Sequence, residues 1–198
     1  MKHMVRKHVI KRSTNETKID MVFTVDGTGQ STINTGIAFF DHMLDLFTRH
    51  GLFDLQLTVD GDLAVDYHHS VEDVGICLGQ ALRQSLGDSV GITRFADVTL
   101  PMDESLCQCV IDVSNRSYLK FNAQYSQAKV GQFDTELVQE FFQAFVNNAR
   151  LNLHLDLFDG SNTHHQIEAC FKAFGVCLDK ATMIDSRKTG IPSTKGVL

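Results

Sequence analysis

Two runs of strict alternation organise the chain. In Phe53-Asp54-Leu55-Gln56-Leu57-Thr58-Val59-Asp60 every second residue is apolar, and Leu151, Leu153, Leu155 and Leu157 repeat the pattern near the other end. Successive side chains of a strand point to opposite faces, so each run predicts a half-buried strand. Helical spacing flanks both. Phe39, Phe40, Met43, Leu44 and Phe47 form a stripe before the first run, stopped by Gly51, and residues 136–149 form another before the second. Val74, Cys77, Leu78, Ala81 and Leu82 follow the first run and end at Gly87; Cys170, Phe171, Phe174, Cys177 and Leu178 follow the second. At the beginning, residues 5–11 and 18–25 read as strands, separated by the polar Ser13-Thr14-Asn15-Glu16 and closed by the turn Asp26-Gly27-Thr28-Gly29. Residues 94–100 and 106–113 repeat that pair, and residues 118–125 add a further strand.

The chain therefore reads as two halves, residues 1–89 and 90–198, each in the order β-β-α-β-α. Sheet and helix mixed without strict βαβ alternation favour an α+β architecture. No low-complexity or linker-like stretch separates the halves, and the only prolines, Pro101 and Pro192, interrupt no helix. Residues 1–198 are expected to pack as a single domain.

The last helix of each half starts with the same motif. His68-His69-Ser70-Val71-Glu72 recurs as His164-His165-Gln166-Ile167-Glu168, both of the form HHxxE. The histidine and glutamate content gives roughly 0.01 such matches by chance, so duplication explains the pair. Residues three and four apart share a helix face, which lets Glu72 and Glu168 stand beside their histidines. Adjacent imidazoles instead diverge by about 100° and cannot easily grip one ion. His68 and His69, like His164 and His165, are thus expected to face different metals, which implies two ions per chain and ligands combined from neighbouring subunits. Superposing the alternating strands sets His42 opposite Glu140, adding a donor from an earlier helix in each half. A mixed nitrogen and oxygen set, with positions left for water or substrate, suits six-coordinate Mn²⁺ better than closed tetrahedral zinc.

Composition narrows the class. A formal net charge of −6 argues against a nucleic-acid partner, and the one basic run, residues 2–12, alternates as a strand would. No apolar run approaches the ~18 residues of a membrane span and no signal-peptide region is apparent, so no membrane partner and a cytoplasmic location are expected. The 5 cysteines show no CxxC spacing and read as reduced core residues, leaving metal ligation to histidines and carboxylates. The strand alternation contradicts an all-helical metal store. A two-metal phosphohydrolase remains an alternative class of enzyme.

Longer motifs occur in a fixed order: Phe39-Phe40-Asp41-His42-Met43-Leu44, Asp66-Tyr67-His68-His69-Ser70-Val71-Glu72-Asp73-Val74-Gly75, Pro101-Met102-Asp103-Glu104, Glu168-Ala169-Cys170-Phe171-Lys172-Ala173 after His164-His165, and Pro192-Ser193-Thr194-Lys195-Gly196-Val197. From Glu16 to Leu198 the chain resembles the imidazoleglycerol-phosphate dehydratase family. The resemblance implies a carbon–oxygen lyase of histidine biosynthesis that converts imidazole glycerol phosphate to imidazole acetol phosphate. It further implies two Mn²⁺ per subunit and a homo-oligomer of 24 subunits. The implied fold is of the ribosomal protein S5 domain 2-like type, with the helices packed between two sheets.

In that reaction the hydrogen to be removed is not next to a carbonyl. No ordinary enolate can form, so the electron sink has to be the imidazole ring, made more acidic by coordination to a metal. The resemblance makes Glu16 the acid/base in contact with substrate, with Glu72 and Glu168 as metal ligands that share proton traffic. Its phosphate cradle matches Arg94, Arg116, Lys172, Ser193 and Lys195, with Thr194 between the last two, and Arg49 and His50 also line the pocket. The chain departs from the family at two places. Glu140 stands where the family often has His, and Ser114-Asn115-Arg116-Ser117 stands where it usually has Ser-Gly-Arg-Pro.

Overall fold

The structure, a computed structural model, describes residues 5–198; the Lys2 end of the basic run lies outside the described residues. The first half runs β1 (Lys7–Ser13), β2 (Thr17–Thr24), β3 (Ser31–Asn34), α1 (Ala38–His50), β4 (Asp54–Gly61) and α2 (His68–Leu86). The second runs β5 (Phe95–Met102), β6 (Ser105–Asp112), β7 (Tyr118–Asn122), the short β8 (Lys129–Val130) and β9 (Phe133–Asp134), α3 (Leu137–Ala149), β10 (Asn152–Asp159) and α4 (Thr163–Thr182). The two large sheets have the strand orders β1-β2-β4-β3 and β5-β6-β10-β7, which are the same order written in each half's own sequence.

The duplicated α+β plan read from the alternation is the one observed, with two additions, β3 in the first half and the short β8–β9 pair in the second. The further strand of the second half, β7, runs parallel to β10, and β3 is its counterpart, parallel to β4. In β4 the alternation works as expected: Leu55, Leu57 and Val59 are buried. In β10 Leu153 and Leu155 are buried but Leu157 is only half-buried, because the pairing with β6 shifts between Leu157 and Asp159. A β-bulge of this kind turns the strand locally and re-aims its side chains.

The helices fill the space between the sheets. α2 lies on β1 and β2, α4 lies on β5 and β6, and the layers meet where α2 packs on α3 and α1 on α4. Phenylalanines dominate the contact: Phe47 stacks on Phe174 at 5.1 Å between centroids, and Phe171 meets Phe141 and Phe142 at 5.2 and 5.1 Å. Each fully buried ring contributes roughly 1.5–3 kcal/mol relative to exposure. The five cysteines are buried and unpaired, as core residues.

Glycines set the two helix crossings. A Cβ on Gly79 of α2 would lie 2.5 Å from the carbonyl oxygen of Phe145 and 2.8 Å from the amide of Ala149. A Cβ on Gly175 of α4 would lie 2.5 Å from the carbonyl of Phe47 and 3.3 Å from the amide of Gly51. Gly79 and Gly175 occupy the same position relative to their HHxxE motifs, so one close crossing occurs twice. Phe47 matches Phe145, and His42 therefore matches Glu140.

Candidate active site and metal centre

The start of α4 is fixed by its cap. The side-chain oxygen of Asn162 accepts from the backbone N–H of His164 at 2.9 Å and of His165 at 3.4 Å, satisfying donors that the first helical turn leaves unpaired. The two imidazoles leave that turn with ring planes 83° apart. Those of His68 and His69, at the start of α2, are 90° apart. In both motifs the first and second histidine face different surroundings.

His164 turns toward α1. Its Nε2 lies 3.4 Å from Oε2 of Glu168, and Nε2 of His42, brought close by the Gly175 crossing, lies 3.8 Å from the same oxygen. One donor atom from each of His42, His164 and Glu168 falls within 4.8 Å of the other two. The other oxygen of Glu168 is ion-paired with Nζ of Lys172. Burial pushes the Glu168 carboxyl up, but the hydrogen bond and charge of Lys172, with His42 and His164, outweigh it and hold the group below its usual value. His50 titrates below its ordinary value, because of burial and then the charge of Lys172. Two ring nitrogens beside an ionised carboxylate form a donor set that fits a divalent cation of intermediate softness. A cleft of about 400 Å³ opens beside His164, bounded by Lys129, Val130 and Ser161–Thr163.

The equivalent position on α2 is less complete. Nε2 of His68 lies 3.7 Å from Oε2 of Glu72, reproducing the His164–Glu168 pair. Glu140, which takes the place of His42, is half-buried on α3 and makes no side-chain hydrogen bond or ion pair among the described residues. Among the described residues, no third donor joins His68 and Glu72 as closely as His42 joins His164 and Glu168.

The second histidines are held by carboxylates that sequence reasoning passed over. Nδ1 of His69 donates to Asp62 at 2.9 Å, and its Nε2 lies 3.7 Å from Oε1 of Glu16. Nδ1 of His165 donates to Glu104 at 2.8 Å. Both histidines titrate above their ordinary value, chiefly through these hydrogen bonds. Glu104 is pulled down to about 2 by His165 and by the amides of Asn162 and Ser161. The signal for Glu104 was present in the duplicated hairpins. Its place in the β5–β6 turn is that of Glu16 in the β1–β2 turn. For Asp62, one of two acidic residues between β4 and α2, the sequence offers no comparable signal.

Within one chain the residues expected to cradle the phosphate, and to converge only in the assembly, divide between the two ends of α4. Lys172, His50 and Arg49 belong to α4 and α1 near Glu168, whereas Arg94 sits where α4 ends, its amide donating to Ala181. Glu168 and Ala181 are separated by about 20 Å of helix. Arg94 donates to Asp112 at 2.7 Å and to the Pro192 carbonyl at 2.7 Å, which brings the segment of Ser193, Thr194 and Lys195 to the same end. Arg116 joins this group through Asp112 at 3.9 Å, with its side chain largely exposed. Arg94 and Asn115 have φ of 76° and 55°. The second bears on Asn115, where the resemblance leads to an expectation of glycine: asparagine tolerates a left-handed backbone better than most side chains, whereas nothing in the structure explains the departure at Ser117. The Asn115 amide also donates to the carbonyl of Leu198 at 2.9 Å.

The profile of the imidazoleglycerol-phosphate dehydratase family matches residues 35–178. The chain is 54% identical over 195 residues to the imidazoleglycerol-phosphate dehydratase of Pelobacter propionicus, covering 98% of this chain and 100% of that protein. It is 56% identical over 194 residues to that of Bacillus subtilis, again covering 98% and 100%. Among solved structures, the Staphylococcus aureus imidazoleglycerol-phosphate dehydratase superposes with a TM-score of 0.83 at 44% identity, covering 90% of this chain and 99% of that one. The corresponding Pyrococcus furiosus structure has a TM-score of 0.83 at 34% identity, with coverage of 96% and 100%.

Proposed function

The chain belongs to the imidazoleglycerol-phosphate dehydratase family, and from that premise we propose that its two HHxxE motifs hold two Mn²⁺ per chain for the dehydration of imidazole glycerol phosphate. The loss of water, a hydro-lyase reaction of histidine biosynthesis, is the activity of the family. One observation carries the metal reading: His42 and His164, from different helices, converge on the same oxygen of Glu168. His68, Glu72 and Glu140 would form the second such set, and His69 and His165 would complete the ligands from neighbouring copies. A bound divalent cation would draw electron density from the substrate's imidazole ring and so ease departure of the adjacent hydroxyl.

The chain's own residues supply the rest. The Glu16 carboxylate, exposed and close to His69, would take the C–H proton, with Glu72 and Glu168 in proton exchange with the site. Lys172, Arg94, Arg116, Ser193, Thr194 and Lys195 would hold the phosphate, and Arg49 and His50 would flank it. The histidines and Arg94 occupy opposite ends of α4, so a pocket needing both requires more than one copy. That supports a homo-oligomer, read here as 24 subunits. Each subunit would be one domain of two halves, 1–89 and 90–198. Among the described residues no helix is long and apolar enough to cross a membrane, and the reading extends to a cytoplasmic enzyme.

The test is a Mn²⁺-dependent assay combined with sizing. Chelation should abolish formation of imidazole acetol phosphate and shrink the particle, and Mn²⁺ should restore both. Release of inorganic phosphate in place of the keto product, or an unchanged and active particle without metal, would contradict the proposal.

A further inference from the structure

The two halves share one hairpin, and its acidic residue has diverged in role. Met21 of β2 pairs with Leu57 of β4, and Cys109 of β6 pairs with Leu155 of β10. Aligned on these pairs, Glu16 and Glu104 fall at the same distance before their strand partners, each in the turn that faces an HHxxE helix. Glu16 keeps its side chain free for the pocket: its one close ionic neighbour among the described residues is His69 Nε2, at 3.7 Å. Glu104 is fully committed. Its Oε1 accepts from the amides of Asn162 at 2.8 Å and Ser161 at 3.2 Å, and its Oε2 accepts from His165 Nδ1 at 2.8 Å. In the first half the matching contact to His69 Nδ1 comes from Asp62, at 2.9 Å.

We infer that Glu104 and Asp62 are positioning residues that fix the ring orientation and tautomer of His165 and His69. A carboxylate can only accept, so the bonded nitrogen of the neutral ring is Nδ1–H, and Nε2 is the nitrogen left with its lone pair. An outer carboxylate of this kind orients a metal-binding histidine and raises its basicity. That both halves reach the same contact from non-equivalent residues is the strongest reason to assign it a function. A hydrogen bond serving only to anchor the helix start would be met in the second half by the Asn162 and Ser161 amides alone. The inference rests on the reading that the HHxxE histidines hold metal.

Glu104→Gln is the discriminating variant. Its side-chain oxygen can still accept from Asn162 and Ser161, but its amide presents a donor toward His165 Nδ1 and so favours the opposite tautomer. Titration of the metal-free full chain with Mn²⁺, following free Mn²⁺ by electron paramagnetic resonance, should show one class of site weakened 10- to 100-fold with the other class unchanged. Asp62→Asn should do the same to the other class. Nitrogen NMR of the wild-type metal-free chain, at a pH where the rings are neutral, should find His165 and His69 as Nδ1–H tautomers. Unaltered Mn²⁺ affinity in both variants, or Nε2–H tautomers, would overturn the inference. A wild-type chain that binds no Mn²⁺ would instead overturn the metal reading, and the tautomer measurement would still decide the positioning.

Discussion

Gly175 lies directly against the carbonyl of Phe47, where an added methyl would approach the oxygen to 2.5 Å. The obstacle is backbone in the middle of a helix crossing, which cannot yield as a side-chain end would. Gly175→Ala should destabilise the chain by about 1–3 kcal/mol, the usual cost of overpacking a close-packed interior. The same crossing brings His42 to His164, so the variant should also bind metal less tightly. An unchanged denaturant midpoint would show that α1 and α4 can separate freely.

Lys172 stands beside Glu168, and the proposed phosphate cradle also includes it. Lys172→Met removes a cation next to a proposed metal ligand and one from the proposed phosphate cradle. Metal affinity should rise or hold while KM for substrate rises several-fold or more. A loss of metal binding with unchanged KM would reverse both assignments.

Glu16→Gln should separate binding from chemistry. Metal and substrate binding should stay near normal, while turnover falls on the order of 10²-fold or more, the scale of general acid–base catalysis. Near wild-type turnover would shift proton transfer to Glu72, Glu168 or another group.

The Glu104–His165 contact gives a pH signature. The His165 pKa is raised above 6.5, so its part of the stability is fully present below about 6.5 and is lost as pH rises through the higher folded value. Glu104 is depressed from 4.5 to about 2, so its part is present above about 4.5 and is lost as pH falls toward 2. Urea unfolding of the chelated protein should show this contribution greatest between those limits, and Glu104→Gln should flatten the profile there. Identical profiles would show that the pair is energetically silent in water.

Much of the fold was legible because burial imposes a period. The alternation at Leu55 and Leu153 and the stripes through Phe47 and Phe174 follow from having one buried face. β3 was not legible, since Ser31-Thr32-Ile33-Asn34 offers one large apolar residue and depends on parallel pairing with distant β4. The bulge after Leu157 likewise arises from pairing with β6. At the site, the repeated HHxxE gave the histidine divergence, because adjacent helical side chains must point apart. Asp62 was hidden because its contact comes only from the fold, which lays a loop against the start of α2, whereas Glu104 could have been found from the duplicated hairpins, where it takes the place of Glu16.

Two separate metal sites per chain are proposed, one around His68 and one around His164, and the most direct test is the metal content of purified protein. Dialysed against Mn²⁺ and counted by elemental analysis, the wild-type chain should carry two ions. His164→Ala and His68→Ala should each lose about one, because each removes a ligand from only one of the two sites. One ion per wild-type chain, or the loss of both ions in either single variant without disassembly of the particle, would contradict two independent centres.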